Sequence, residues 1–457
     1  MNNVFLSFKN WWQESSFLKI MFIGFIVLLL QIPVAMIDDQ VSDREWTKEN
    51  AFEEVSQKWG RQQTIQGPRL VIPYYSVSKW QNKNGKTVES RKKKYASFLA
   101  EELTIDANIK NHIRYRGLYK IPLYQTTINM EGTFSSPDFS RWGISEQDIL
   151  WNEAELAIGI THPGTIQKII KVNWNGKEYN VEPGMGEENI NNPGFFTRLG
   201  GNVKKKNHHF HINLEFNGSK SLYIAPMSKN TLIQMTSDWP DPSFQGYRLP
   251  SQHNINPKGF NAQWQIPAIS LGYPLQWLNN KFDDSKLEHS IVGVDFISPI
   301  DNYRLTERST KYAFMFLLFT FGVIWIFELI SKVRVHIIQY LFIGLGMCMF
   351  YLLLLAFSEH IGFLSAYFVA GGLIVVMVTG YTINTLRSYK RGSIIGLIVT
   401  GLYAYLYTLL QEQSYALLFG SLGTFIALAV VMFLTRNINW FSNETSESRS
   451  FLGNKNQ

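Results

Sequence analysis

Cysteine is nearly absent from this 457-residue chain: Cys348 stands alone, inside an apolar run. No intramolecular disulfide or cysteine metal cluster can form, and thiol catalysis fits poorly with one thiol in apolar surroundings. Other chemical signatures are missing too. There is no Gly-x-x-x-x-Gly-Lys phosphate loop, no His-Glu-x-x-His and no Gly-x-Ser-x-Gly. Lysine, arginine and aspartate are absent from the interiors of the long apolar runs near the C-terminus. These absences leave no motif for an enzyme, and no cofactor or metal is expected.

What is present is an asymmetric distribution of apolar residues. One run covers Phe17–Ile37. Five more follow a long polar stretch: Tyr312–Ile330, Val335–Phe357, Ile361–Ile383, Ser393–Leu410 and Tyr415–Leu434. Each has about the length needed to cross a hydrocarbon core of about 30 Å. The mean hydropathy of −0.08 hides this pattern by averaging a polar middle with an apolar end. The first run is longer than a signal-peptide core of roughly 7–15 residues, which favours an uncleaved anchor. Phe5, Phe8, Trp11 and Trp12 ahead of it fit a short interfacial helix.

Charge sets the expected orientation. Lys9 and Lys19 precede the first run, Lys332 and Arg334 follow the second, Arg387, Lys390 and Arg391 follow the fourth, and Arg436 follows the last. The two remaining short links hold Glu359, His360 and Glu412 without Lys or Arg. The positive-inside rule then predicts cytoplasmic termini and an extracytoplasmic segment 38–311. The net charge of +7 is accounted for by orientation and by anionic lipid, with no need for a nucleic-acid partner. Abundant Trp and Tyr fit the membrane interface. The expected organisation is a cytoplasmic N-terminus and anchor over 1–37, a periplasmic domain over 38–311, a five-span bundle over 312–434 and a cytoplasmic tail over 435–457, disordered from about 443.

The segment 38–311, roughly 270 residues, is long enough to build a core without disulfides. Asp38–Trp59 reads as helix. Beyond Gly60, short alternating runs dominate, among them Leu99–Ile109, Glu155–Ile160, His209–Phe216, Ser221–Ala225 and Gly259–Ile266. Asn175-Gly176 and Asn217-Gly218 sit between apolar runs and predict hairpins. The expected fold class is therefore an α-helical membrane protein with six spans and a large all-β-rich, sandwich-like periplasmic domain.

Candidate sites are sparse. His208, His209 and His211 include two same-face ligands if extended, yet they follow Lys204-Lys205-Lys206 and lack nearby carboxylates; surface histidines are the expectation. Asp238 and Asp241 beside Trp239 fit a tight turn better than an acid-base pair. Arg91–Lys94 and Lys204–Lys206 read as solvated loops, with anionic headgroups as the competing reading. Glu359, His360 and Glu412 fall at the expected outer ends of spans. Three roles compete for them: docking the outer domain through Arg304 or Arg308, binding a ligand, or relaying protons. Glu328 is a natural i,i+4 ion-pair partner for Lys332 if its helix continues. Gly371-Gly372 and Gly380 fit close helix packing better than a transporter's broken helix.

Several motifs carry a family resemblance. They include Arg116-Gly117-Leu118-Tyr119 with Pro122-Leu123-Tyr124, Ser237-Asp238-Trp239-Pro240, Pro242-Ser243-Phe244-Gln245-Gly246 and Gly272-Tyr273-Pro274. Further on come Val294-Asp295-Phe296, Pro299-Ile300-Asp301 with Tyr303, Phe327-Glu328-Leu329, and Ser358-Glu359-His360-Ile361-Gly362-Phe363. In order and spread, from about Arg44 to Trp440, the chain resembles the CreD family of bacterial inner-membrane envelope-integrity proteins. The resemblance implies an inner-membrane location and links to a two-component envelope response, colicin tolerance and β-lactam susceptibility. It brings no catalytic residue. Lys92–Lys94 and Lys204–His211 lie outside the resembling pattern. The leading expectation is a non-enzymatic protein whose tethered domain binds an envelope lipid, glycan or protein. A transporter or lipid handler needs a cavity between spans holding Glu328, Gln339 or Glu412. A membrane-anchored enzyme needs a cleft in the outer domain.

Overall fold

The computed structural model describes residues 16–81, 87–204, 207–278, 290–296, 302–331, 335–411 and 415–436. The chain divides into two compact units. One is Met1–Thr47 with Ile300–Gln457; the other is Lys48–Pro299.

The first unit is helical. Its N-terminal element, α1 (Ser16–Trp59), is one continuous helix of 44 residues that runs on into the second unit. The anchor and the predicted helix after it are thus a single element. Pro33 lies inside it without ending it. A proline removes only one intrahelical hydrogen bond, and packing by neighbours offsets that loss inside a bundle. The later helices are α2 (Asn302–Lys311), α3 (Ala313–Ser331), α4 (Ile337–Ile361), α5 (Phe363–Leu386), α6 (Tyr389–Gln411) and α7 (Ala416–Thr435). Five helices are long and apolar enough to cross a membrane, or six when α2 and α3, bent by 48° at their junction, count as one span.

A shared apolar core joins α1, α3, α4, α5 and α6 through Leu30, Phe321, Tyr340, Phe350, Tyr367 and Leu406. Gly344 is required there: a Cβ would sit 2.2 Å from Leu30 Cδ1 and 2.8 Å from Phe321 Cζ. Of the glycines expected to allow close packing, Gly371 is buried with Phe350 of α4 3.9 Å from where a Cβ would sit, and the other two have open space. A Cβ on Gly372 or Gly380 meets nothing within 4 Å, and α5 runs through them unbroken. Helix α7 buries none of its residues.

The second unit is built on β1 (Gln63–Gln81), β2 (Thr87–Arg116), β3 (Tyr119–Phe134), β4 (Glu155–Ile160), β5 (Lys171–Trp174), β6 (Lys177–Asn180), β7 (Glu182–Pro183) and β8 (Gly194–Arg198). It continues with β9 (His208–Ser219), β10 (Ser221–Ala225), β11 (Ser228–Ser237), β12 (Pro242–Gly246), β13 (Gln252–Asn256), β14 (Gly259–Pro267), β15 (Gln276–Leu278) and β16 (Val292–Phe296). The 30-residue β2 organises them, where an ordinary strand has about 5–6. Its first half pairs with β1, from Gln81 opposite Thr87 to Arg69 opposite Leu99. Its second half pairs with β3 on one side and, in parallel, with β11 on the other. Alternation along β2 sends Leu103, Ile105, Ala107 and Ile109 into the core. Trp174 and Trp264, both 1% exposed, are its largest side chains.

Asn175 (φ 52°) and Gly176 (φ 82°) turn β5 into β6 as predicted, in the left-handed region such hairpins need. The Asn217-Gly218 hairpin does not form. Both residues lie inside β9, opposite Gln125 and Tyr124 of β3. Gly218 serves a close approach instead, since a Cβ there would sit 2.3 Å from the Tyr124 hydroxyl.

Candidate functional site

Two acidic residues of the helical unit, Glu328 and Glu359, are held in a repeated arrangement. Glu328, near the end of α3, is joined by the Lys19 ammonium of α1 and accepts a 3.0 Å hydrogen bond from the Tyr340 hydroxyl of α4. Its Oε1 also accepts from Val335 N at 3.2 Å, and Lys19 donates to Val335 O at 2.6 Å. Glu359 lies in the last turn of α4. It accepts from the Tyr303 hydroxyl of α2 at 3.0 Å and faces Arg44 Nε of α1 at 3.9 Å. Each carboxylate thus has one cation from α1 and one tyrosine hydroxyl. A partly buried carboxylate costs free energy unless it is paired and hydrogen-bonded, and both are.

Several expectations change here. Arg304 and Arg308 are not the described partners of Glu359; Tyr303 and Arg44 are. Arg308 donates to Leu409 O at 3.1 Å, and Arg304 is exposed. Glu359 and His360 belong to a helix end rather than a link, with His360 exposed. Lys332 and Glu412 lie outside the described residues, so the expected pair of Glu328 with Lys332 is not described. Outside too are Phe5, Phe8, Trp11, Trp12, Lys205, Lys206 and the tail beyond 436. Gln339 caps the start of α4 by accepting from His336 N at 2.9 Å. A cavity of about 730 Å³ in this unit, beside Pro33, Cys348, Met349 and Met377, has apolar walls.

The histidines of β9 alternate. His209 and His211 point to solvent, as expected of surface histidines. His208 is fully buried and stacked on Trp174 with ring centroids 5.1 Å apart. Its Nε2 lies 2.9 Å from Val203 O, which requires an Nε2 proton; Nδ1 then accepts from Asn175 Nδ2 at 3.0 Å. His208 is a structural pin between the Asn175 turn and the segment at Val203. Among the described residues, no group of three or more His, Cys, Asp or Glu is placed to hold a metal ion. Asp238 accepts from Asn111 N at 2.9 Å and Asn111 Nδ2 at 2.7 Å, a turn role. Lys93 pairs with Glu153 and Glu187, and Lys204 with Glu146.

The β-rich unit also holds a polar cavity that the sequence does not foreshadow. It has a volume of about 420 Å³ where the end of α1 meets the start of β1, the segment after β4 and the β9–β10 junction. That volume is within the usual range for small-molecule sites, about 300–1,000 Å³. Glu53, Ser56, Arg61, His162, Ser219 and Lys220 line it. Lys220 takes a left-handed backbone (φ 61°), which costs a non-glycine residue about 1–2 kcal/mol. Its ammonium bonds Glu49 at 2.6 Å and Glu53 at 3.1 Å, and stands 4.7 Å from the Phe52 ring centroid. Burial alone would lower the Lys220 pKa, but the hydrogen bonds to Glu49 and Glu53 outweigh it and hold the ammonium above its ordinary value. Burial, then the Arg61 charge, pushes the His162 imidazole down, so it is neutral at pH 7. Ser56 and Ser219 are each 1% exposed, and neither hydroxyl has a hydrogen-bond partner. The signal available in the sequence was the polar run Asn217–Lys220 between two apolar strands, which reads as a turn.

A second ionic cluster surrounds Glu155 of β4, which is 1% exposed. Burial pushes its carboxyl up to about 7, against the pull of the Glu187 N–H (3.0 Å) and of Arg198 (3.9 Å).

Five or six apolar helices, packed in one unit and continuous with a disulfide-free β-rich unit, define a multi-pass membrane protein. Residues 15–441 match the family described as Inner membrane protein CreD. A similar relative, Inner membrane protein CreD of Escherichia coli (strain K12), is 29% identical over 416 residues, covering 91% of this chain and 92% of its own. The chain belongs to the CreD family and is a multi-pass inner-membrane protein.

Proposed function

We propose that this protein supports the integrity and stress tolerance of the cell envelope without catalysing a reaction. Its β-rich unit lies on the periplasmic side, with both termini cytoplasmic, and binds an envelope component. The observation that carries the reading is connectivity: the β-rich unit is inserted between the first membrane helix and the others, so the chain ties it to the membrane at both ends. A ligand bound by that unit then acts on the helices through α1, whose last turns line the polar cavity. The basic residues flanking the spans support the orientation.

The test is complementation of a deletion strain scored for envelope stress tolerance. The full chain is expected to restore tolerance, and a secreted β-rich unit detached from the helices is not. Full rescue by the detached unit would sink the coupled mechanism. A reporter fused after Ser358 should give a periplasmic signal, and a cytoplasmic signal there would reverse the orientation. The apolar walls of the cavity beside Pro33 suit no polar solute and weigh against a transport reading.

A further inference from the structure

We propose that the cavity lined by Ser56, Arg61, His162, Ser219 and Lys220 is a binding site for a small hydroxyl-bearing anion, a phosphate or carboxylate group with alcohol groups beside it. The inference rests on the ligand-binding role proposed above and names the ligand's chemistry.

Four observations converge. The first is the pair of hydroxyls. Buried polar groups in folded proteins are nearly always hydrogen-bonded, and an orphan is a standing cost. Ser56 and Ser219 come from different elements, α1 and β9, yet both are unpartnered at one cavity. An occupant of the cavity with oxygen atoms would supply the partners they lack.

The second is charge. Lys220 is already paired with Glu49 and Glu53, which leaves Arg61 as the lining cation with donors to offer. Arg61 Nε stands 4.0 Å from Glu53 Oε2, too far for a hydrogen bond, so its planar fork of donors is uncommitted among the described residues. Such a fork matches the two oxygens of a phosphate or carboxylate. The third is the left-handed backbone of Lys220, maintained although glycine would relieve it. Strain of this kind gathers at ligand sites, where the neighbours over-determine it. Here Glu49, Glu53 and Phe52 hold the side chain. The fourth is the neutral His162, which offers one donor and one acceptor and so suits an alcohol more than a second anion.

One chemistry here has two sources, a soluble phosphate ester or the headgroup of an anionic lipid. The test uses the purified full-length protein in nanodiscs of zwitterionic phosphatidylcholine. It is titrated by calorimetry with glycerol phosphate and, in parallel, with glycerol. Glycerol phosphate is expected to bind at least about tenfold tighter, the worth of one charge-assisted contact. Arg61→Gln and Ser219→Ala should each weaken it about tenfold. Ser219→Ala should also raise the midpoint of thermal unfolding by about 2 °C, because it deletes a buried hydroxyl that lacks a partner. A structural serine would lower that midpoint, and this outcome would overturn the site. No binding of glycerol phosphate up to about 10 mM would mean that the cavity holds water only, and would also overturn it.

Including phosphatidylglycerol in the nanodisc separates the sources. Competition with glycerol phosphate marks the headgroup as the natural occupant, and unchanged binding marks a soluble anion. Either result supports the site. Its failure is distinct from failure of the envelope reading, which falls on rescue by the detached unit.

Discussion

Ion pairs close most of the charged groups in both units, as Lys220 with Glu49 and Glu53 and Lys93 with Glu153 and Glu187 do in the β-rich one, and the units differ at a few particular groups. In the helical unit, Glu328 and Glu359 are each closed off by a cation from α1 and a tyrosine hydroxyl. In the β-rich unit, Ser56 and Ser219 are buried without partners, Arg61 has donors to spare and Glu155 is buried beside a distant arginine. Closed networks hold a shape, whereas open ones wait for an occupant or a proton. On the proposed function, the closed pairs of the helices would hold shape and the open groups of the β-rich unit would respond to a ligand or a proton.

Removing one member of a closed network should give the largest effect. Glu328→Ala leaves the Lys19 ammonium without its counter-charge in partly buried surroundings, and should destabilise the protein by about 3–5 kcal/mol. The measurement is thermal unfolding in lipid nanodiscs, with Lys19→Met plus Glu328→Met expected to recover much of the loss. A loss under about 1 kcal/mol would mean that the latch is solvated and the contrast weaker.

The β-rich unit should instead respond to pH. The Glu155 carboxyl titrates near 4.5 when unfolded and is raised to about 7 when folded. Its protonated form therefore stabilises the fold fully below about pH 4.5, and that contribution is lost as pH rises through 7. The total is on the order of 3 kcal/mol. Arg198, Lys93, Glu187 and Tyr95 are charged and titratable groups that act on it. Glu155→Gln, measured by denaturant unfolding at a series of pH values, should flatten stability between pH 4.5 and 7. An unchanged slope would remove Glu155 as the responsive group.

Arg44→Gln should have the smallest effect, below about 1 kcal/mol, because Arg44 is 47% exposed at a separation of 3.9 Å. A loss comparable to that of Glu328→Ala would make the two latches equivalent.

The spans were legible because membrane burial demands long apolar runs, and such runs need no partner to be recognised. Most strands were legible from alternation, with Glu155–Ile160 and Ser221–Ala225 found at the bounds they have in the fold. Helix α2 was missed. Its sequence, Asn302 to Lys311, is mostly polar, and the face it buries is made of Tyr303, Thr306, Ser309 and Thr310 rather than of large apolar side chains. Asn217-Gly218 misled because the pair is a turn signal only when nothing packs on the glycine, and Tyr124 does. The partners of Glu328 and Glu359 were hidden by sequence distance: Lys19 lies 309 residues from Glu328. In the sequence Lys19 marks orientation by its sign, and the local Lys332 is the natural partner for Glu328. The polar cavity was illegible for the same reason, since its walls come from four separate segments that only the fold brings together.

The two latches on α1 have a mechanical consequence. Lys19 and Arg44 are 25 positions apart (44 − 19), about 37 Å along a helix at 1.5 Å per residue. That distance lies between a bilayer's hydrocarbon thickness of about 30 Å and its full thickness of about 40–45 Å. An unlatched helix adapts to a thinner or thicker bilayer by tilting or sliding. Helix α1 is held firmly to α3 at Lys19 and only loosely to α4 at Arg44, so a change in bilayer thickness would be taken up at the Arg44 end first.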